Sequence, residues 1–210
     1  MAGRTKLKET PPWVPFEDRR RARDEKREAV LRMAVKMFLT EGYHRTTLNE
    51  VAARLNITKP ALYNYFRSKE EILVECYRLG QDTYDAMIEA LDSIHGNGLA
   101  KVRGLIRAYV KAITSEFGMC VTRLDERELS PEARASVRRS KRCYDTAFRE
   151  RIEEGIADGS IVSCDSKLAA FAIAGSLNWI GHWYDPDGPL SAAAIADDFA
   201  ERLTGGLAAR

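Results

Sequence analysis

Histidine and cysteine are scarce in this chain, and the few present form no chemical pattern. His44, His95 and His182 lack metal-ligand spacing, no nucleophile is paired with a base, and no glycine-rich loop is set to cradle a phosphate. No enzyme, metal or other cofactor is therefore expected. Cys76, Cys120, Cys143 and Cys164 are far apart and form no CxxC pair, which argues against a zinc site and a disulfide framework. Reduced thiols in a cytoplasmic protein are the expectation. Residues 1–23 are basic and lack the apolar segment of a secretory leader. The longest uncharged apolar run, Leu168 to Gly181, falls short of the ~20 residues that a bilayer crossing needs, so no membrane partner is expected. Strand-type alternation and internal repeats are also missing. What remains is an all-α chain.

Net charge is small as well, +2 over 210 residues, but its distribution is not even. Residues 1–70 hold 16 Lys and Arg against 9 Asp and Glu, whereas residues 71–210 hold 17 against 22. A basic first third on an acidic body points to a polyanionic partner for the first part alone.

Residues 1–23 read as a flexible arm. Pro11, Pro12 and Pro15 oppose a helix, and Arg4, Lys6, Lys8, Arg19, Arg20, Arg21 and Arg23 supply charge. Such an arm can lie along phosphates, enter a minor groove or touch nothing. From Asp24 the apolar period is helical: Ala29, Val30, Met33, Ala34, Met37 and Phe38 form a stripe that stops at Gly42, a suitable left-handed cap. Thr47-Leu48-Asn49-Glu50 is a capping box opening a short helix that ends at Asn56. Thr58 caps the next helix, with Ile57 placed to staple against Leu62 and Pro60 tolerated in the first turn. Ser68-Lys69-Glu70-Glu71 is a second capping box, for a helix running to about Leu91.

Two short capped helices about a tight turn form a helix-turn-helix over about 47–66, which places its second helix in the major groove. Leu62 and Phe66 face inward in that helix. Lys59, Pro60, Tyr63, Asn64 and Arg67 lie elsewhere on its surface, offering groups suited to phosphate oxygens, base edges and thymine methyls. Each could equally be packing or solvated charge; the ordered set is far more specific than any member. The run Thr46-Thr47-Leu48-Asn49-Glu50-Val51-Ala52, then Ile57-Thr58-Lys59-Pro60-Ala61-Leu62-Tyr63-Asn64-Tyr65-Phe66, then Ser68-Lys69-Glu70-Glu71 resembles the DNA-binding domain of the TetR family over residues 24–84. That resemblance implies an N-terminal three-helix DNA-binding domain, and a ligand-binding and dimerisation domain over 85–210. It implies DNA binding by Thr47, Thr58, Lys59, Pro60, Tyr63, Asn64, Tyr65 and Lys69, with backbone phosphates taken by Thr47, Tyr63, Asn64, Tyr65 and Lys69 and with Lys59 and Pro60 facing the bases. Pro60 stands where many members of the family carry a smaller residue.

Past His95-Gly96-Asn97-Gly98 the segments are helical: a stripe of Leu99, Val102, Ile106, Tyr109 and Ile113, a helix opened by Ser130-Pro131, and two more over 165–184 and 191–207. The stretch Trp179 to Leu207 looks like the TetR-family repressors of fatty-acid and sterol-ring catabolism, whose ligand is a coenzyme A thioester. Tyr109, Phe117, Met119, Tyr144, Phe148, Asn178 and Trp179 are candidates for lining a cavity, and each serves equally well as core. The run Arg138-Arg139-Ser140-Lys141-Arg142 could hold coenzyme A phosphates or be a solvated face. Asn178, an amide among apolar residues, needs a partner. Ala172, Gly175, Trp183, Phe199 and Leu203 are candidates for a homodimer interface, which would suit a near-palindromic operator in double-stranded DNA. The expected protein is a DNA-binding regulator released by a small-molecule effector, an acyl-CoA thioester being one candidate. The alternatives are a response to cationic drugs, for which Glu116 and Asp125 are the obvious carboxylates, and a helical small-molecule-binding protein with a vestigial DNA module.

Overall fold

The computed structural model describes residues 16–92, 96–123, 127 and 129–209, and their regular elements are all helical. They are α1 (Phe16–Glu41), α2 (Leu48–Arg54), α3 (Lys59–Tyr63), α4 (Lys69–Asp92), α5 (Gly98–Ile113), α6 (Glu116–Arg123), α7 (Pro131–Ala157), α8 (Ser166–Trp183) and α9 (Ala192–Gly205). Among the described residues no helix is long and apolar enough to cross a membrane.

Two apolar clusters organise these helices. The first joins Val30, Leu31, Ala34, Val35, Met37 and Phe38 of α1 to Leu48, Val51 and Ala52 of α2, to Leu62 and Phe66, and to Ile72, Leu73 and Cys76 of α4. Leu62 and Phe66 are fully buried, each worth roughly 1.5–3 kcal/mol of transfer free energy. Cys120, Leu129 and Val137 enter the same cluster from beyond α4, so the N-terminal core closes only with help from the C-terminal half. The second cluster is built by α5, α7, α8 and α9 around Ile106, Phe148, Ile152, Leu177 and Ile180. Here α5 and α7 cross so closely that a Cβ at Gly98 would collide with the backbone N and Cα of Gly155.

The caps fall where the residue types put them. Thr47 and Glu50 complete a reciprocal box, Thr58 accepts from the Ala61 amide, and Ser130 precedes Pro131 at the first turn of α7. Gly42 takes φ +92°, and Asn56 takes φ 52° to turn the chain between α2 and α3. Two expectations need correction. The chain is helical from Phe16, not from Asp24: beyond Pro15, Glu17 and Asp18 favour the dipole of the first turn, and Arg21–Glu25 and Arg32–Glu28 support the helix at i,i+4 spacing. The rest of the arm, with Arg4, Lys6, Lys8 and the prolines, lies outside the described residues. At the start of α4 the box is half made: Ser68 Oγ accepts from the Glu71 amide at 3.1 Å, but Glu71 Oε2 accepts from the Arg67 amide, 2.6 Å away, and not from that of Ser68. Thr114 and Ser115 separate α6 from α5, a break that sequence periodicity did not mark.

Replacing Gly98 with Ala should force α5 off α7. The expected loss is about 1–3 kcal/mol, as for other overpacked sites, read as a lower urea midpoint at fixed protein concentration with unchanged slope.

Candidate functional site

The surface around α3 follows from what its inner side buries. With Leu62 and Phe66 sealed into the core, Lys59, Pro60, Tyr63 and Asn64 are all exposed. Thr47 and Thr58 stand exposed at the caps of α2 and α3. The helix itself spans only Lys59–Tyr63, shorter than the expected Thr58–Phe66, and Asn64 is its C-cap. Tyr65 is half-buried and packs on the N-terminal core. Lys69 is half-buried too. Its Nζ donates to the Tyr43 carbonyl at 2.7 Å and sits 4.4 Å from the Tyr43 ring centroid, which leaves donors on a three-donor ammonium.

A rigid frame stands behind this surface. Glu75 on α4 receives hydrogen bonds from Arg78 and from Arg27, and the Arg27 guanidinium lies 4.6 Å over the Phe66 ring. Those bonds, Arg78's first and then Arg27's, hold the Glu75 carboxyl down to about 2. Two contacts tie the frame to the other half of the chain. Arg32 meets Glu116 of α6 at 3.2 Å, and Glu70 accepts from the Ser130 amide at 2.7 Å, just before α7.

The second site is a cavity of about 550 Å³ between α4, α5, α6, α7 and α8. Of the seven expected lining residues, Tyr109, Tyr144 and Asn178 are there. Asn178 already has its partner: the Tyr109 hydroxyl donates to Asn178 Oδ1 at 2.7 Å. Burial pushes the Tyr109 phenol up to about 12, and also raises the Tyr144 phenol, so both stay neutral. The other four expectations are corrected. Phe148 and Met119 are buried in the C-terminal core, Phe117 packs on the N-terminal core beneath Arg32, and Trp179 is 65% exposed with its ring against His182.

Sequence reasoning missed the α4 wall of Cys76, Tyr77 and Gly80, and the α6 wall of Gly118, Val121 and Thr122. It also took the cations of α7 as a consecutive run. The cavity is lined instead by Arg134, Arg138, Lys141 and Tyr144, spaced as one helical stripe, together with Arg127. Arg139 and Arg142 are exposed and do not line it. The signal was available as i, i+4, i+7, i+10 spacing. No Asp or Glu occurs among the described lining residues; Glu116 is taken by Arg32, and Asp125 lies outside the described residues.

The outer side of α8 is a third feature. Leu168 is 64% exposed, and Phe171, Ala172, Gly175, Trp179 and Trp183 share its side of the helix and its exposure. Phe199 and Leu203 are half-buried on the C-terminal core, because the apolar stripe of α9 turns toward α5, where Arg107 pairs with Asp197 at 2.6 Å.

Comparison with known proteins places this geometry. The chain matches the sequence models for the tetracyclin repressor-like C-terminal domain over residues 95–207 and for bacterial regulatory proteins of the tetR family over residues 30–76. It is 27% identical to the HTH-type transcriptional repressor KstR2 of Mycolicibacterium smegmatis, over 87% of this chain and 90% of the relative. Among solved structures it is similar to the TetR family transcriptional regulator PfmR from Thermus thermophilus, with TM-score 0.78 and 28% identity, covering 84% of this chain and 97% of that one. It is also similar to AibR, solved in complex with isovaleryl coenzyme A and operator DNA, with TM-score 0.73 and 26% identity, covering 84% of this chain and 96% of that one.

The Glu75 frame has a pH signature. A carboxyl held below its ordinary value contributes stability that is present above the unfolded range near pH 4 and is lost as pH falls toward 2. Denaturant unfolding over pH 5 to 2 should therefore show a steeper loss for the native chain than for Glu75→Gln; parallel curves would contradict the assignment.

Proposed function

Because the chain belongs to the TetR family of bacterial regulatory proteins, whose members are DNA-binding transcriptional regulators, we propose that it is a homodimeric repressor that reads a near-palindromic operator through α3 and leaves it when an anionic amphipath fills the cavity. The observation that carries the DNA-binding part is the burial of Leu62 and Phe66 beneath an exposed Lys59, Pro60, Tyr63 and Asn64. Lys59 and Pro60 face base edges in this reading. Thr47, Tyr63, Asn64, Tyr65 and the remaining donors of Lys69 take phosphate oxygens, and Thr58 fixes the start of α3.

The outer face of α8 supports the dimeric part of the reading: large apolar side chains stand in water there on one subunit alone and would be covered by a second copy. Gly175 has open space around it, which permits close approach of a partner helix. Ala172 and Trp183 belong to this face; Phe199 and Leu203 contribute only the parts not already packed inside the subunit.

For the effector, the cavity combines neutral phenols and apolar walls with Arg127, Arg134, Arg138 and Lys141. An acyl-CoA thioester fits that division: its acyl group against Tyr109, Ile113 and Val121, its phosphates toward the cations. Cationic drugs need buried carboxylates, and the described lining supplies none, so they are the second choice. AibR, solved with isovaleryl coenzyme A and operator DNA, supports the same reading. Release requires that the ligand favour one conformer over another. The cavity wall of α4 is one helix with the Glu70 and Glu75 contacts, which gives ligand occupancy a direct route to the frame behind α3.

The test uses a duplex recovered from a random-sequence library by the purified chain. Tyr63→Ala should weaken binding on all duplexes alike, whereas Lys59→Ala should lose about 1–3 kcal/mol of discrimination between the preferred and altered bases. Equal losses on every duplex for both variants would remove the division of labour. Acyl-CoA thioesters of increasing chain length should release the bound duplex, while free coenzyme A and a cationic drug should not. Release by the drug alone would reverse the assignment of effector class.

A further inference from the structure

The first part of α1 extends well past the core. The first buried side chain of the helix is Val30, so the preceding turns from Phe16 reach about 20 Å beyond it at 1.5 Å per residue. Residues 17–26 are all exposed. A helix segment with no apolar side to bury has no packing reason to persist, and its charges explain what it does instead.

Those charges are sorted by side. At about 100° per residue, Arg19, Arg20, Arg23, Lys26 and Arg27 fall within an arc of roughly 120°, and Glu17, Asp18, Asp24, Glu25 and Glu28 fall on the opposite arc. The one cation among the acids is Arg21, and it is held by Glu25 at 3.2 Å. Arg19, Arg20, Arg23 and Lys26 make no ion pair or side-chain hydrogen bond among the described residues. The cationic arc also has a definite direction. It continues the line of Val30, Ala34 and Met37, and its last member, Arg27, lies against Phe66 just past α3 and Glu75 near the start of α4. The basic strip therefore runs out from the junction of α3 and α4.

We propose that the protruding part of α1 is a second, sequence-independent DNA contact, in which Arg19, Arg20, Arg23 and Lys26 lie along the phosphate backbone outside the segment read by α3. This rests on the regulator reading above and extends the footprint beyond it. Duplex DNA is the occupant because Arg19, Arg20, Arg23 and Lys26 are cations at helical spacing with no ion pair among the described residues, and because Arg27 on the same arc meets Phe66 just past α3. The carboxylates on the opposite arc face away and keep the segment from binding polyanions from every direction.

The experiment compares two variants that each remove one positive charge from the same exposed helix: Arg23→Gln on the cationic arc and Arg21→Gln on the acidic one. Full-length protein is bound to the selected operator, once in a duplex trimmed to the site and once in a duplex extended by about two helical turns at each end. Binding is followed across a salt series. On the extended duplex, Arg23→Gln should lower the log–log salt slope by about 0.9 per protomer, and Arg21→Gln should leave it unchanged. On the trimmed duplex the two should match the parent chain. Circular dichroism of both variants confirms that α1 persists. Equal slopes for the two variants on the extended duplex overturn the proposal and leave the α3 reading intact, as does a shift in subunit association by Arg23→Gln with no change in slope. Failure of the parent chain to retain any duplex from the library overturns both.

Discussion

Helix α4 is the member on which the rest of the structure depends, because it is packed from two sides at once. Ile72, Leu73 and Cys76 close the N-terminal core against α1, while Cys76, Tyr77 and Gly80 form one wall of the cavity. Cys76 belongs to both. The hydrogen bond with Cys120, and then burial, raise its thiol, so it behaves as a small apolar group in that position and not as a reactive one. Side chains in such packing have discrete arrangements and little slack. A helix shared in this way cannot shift for one set of neighbours without being felt by the other.

Much of the N-terminal part was readable from residue types alone, since its signals are local. Thr47, Thr58 and Ser130 cap helices because a hydroxyl one step before a helical run satisfies amides nearby in sequence. Asn56 and Gly42 occupy two of the places where the backbone takes positive φ. The cavity was harder because its determinants are distant in sequence. Periodicity marks α8 as apolar on nearly all sides, but it does not say which side meets the core, the cavity or another surface. Trp179, expected inward, therefore stands outward, while Phe148, expected in the cavity wall, fills the core. Asn178 needed a partner, and the phenol that supplies it comes from Tyr109 on α5, 69 residues away in the chain but within hydrogen-bond reach in the fold.

The same limit applied to charge. Counting basic residues found the run at 138–142, whereas the cavity takes one cation per turn from Arg134, Arg138 and Lys141. Near the N-terminus, counting found a basic arm, whereas the fold shows that acids and bases along the start of α1 are nearly balanced in number and sorted by side. Net charge is thus a poor guide to either surface. The angle at which each charge leaves its helix decides what it can meet.

A last consequence concerns how damage to this protein would look in a genetic screen. At five residues, α3 is far too short to hold a helical shape alone. It exists because Leu62 and Phe66 are gripped by α1 and α4. Missense alleles that abolish regulation should therefore scatter through buried positions such as Leu31, Val51 and Ile72 as readily as across the outward face. Many of them would leave the C-terminal core standing and the polypeptide abundant in the cell.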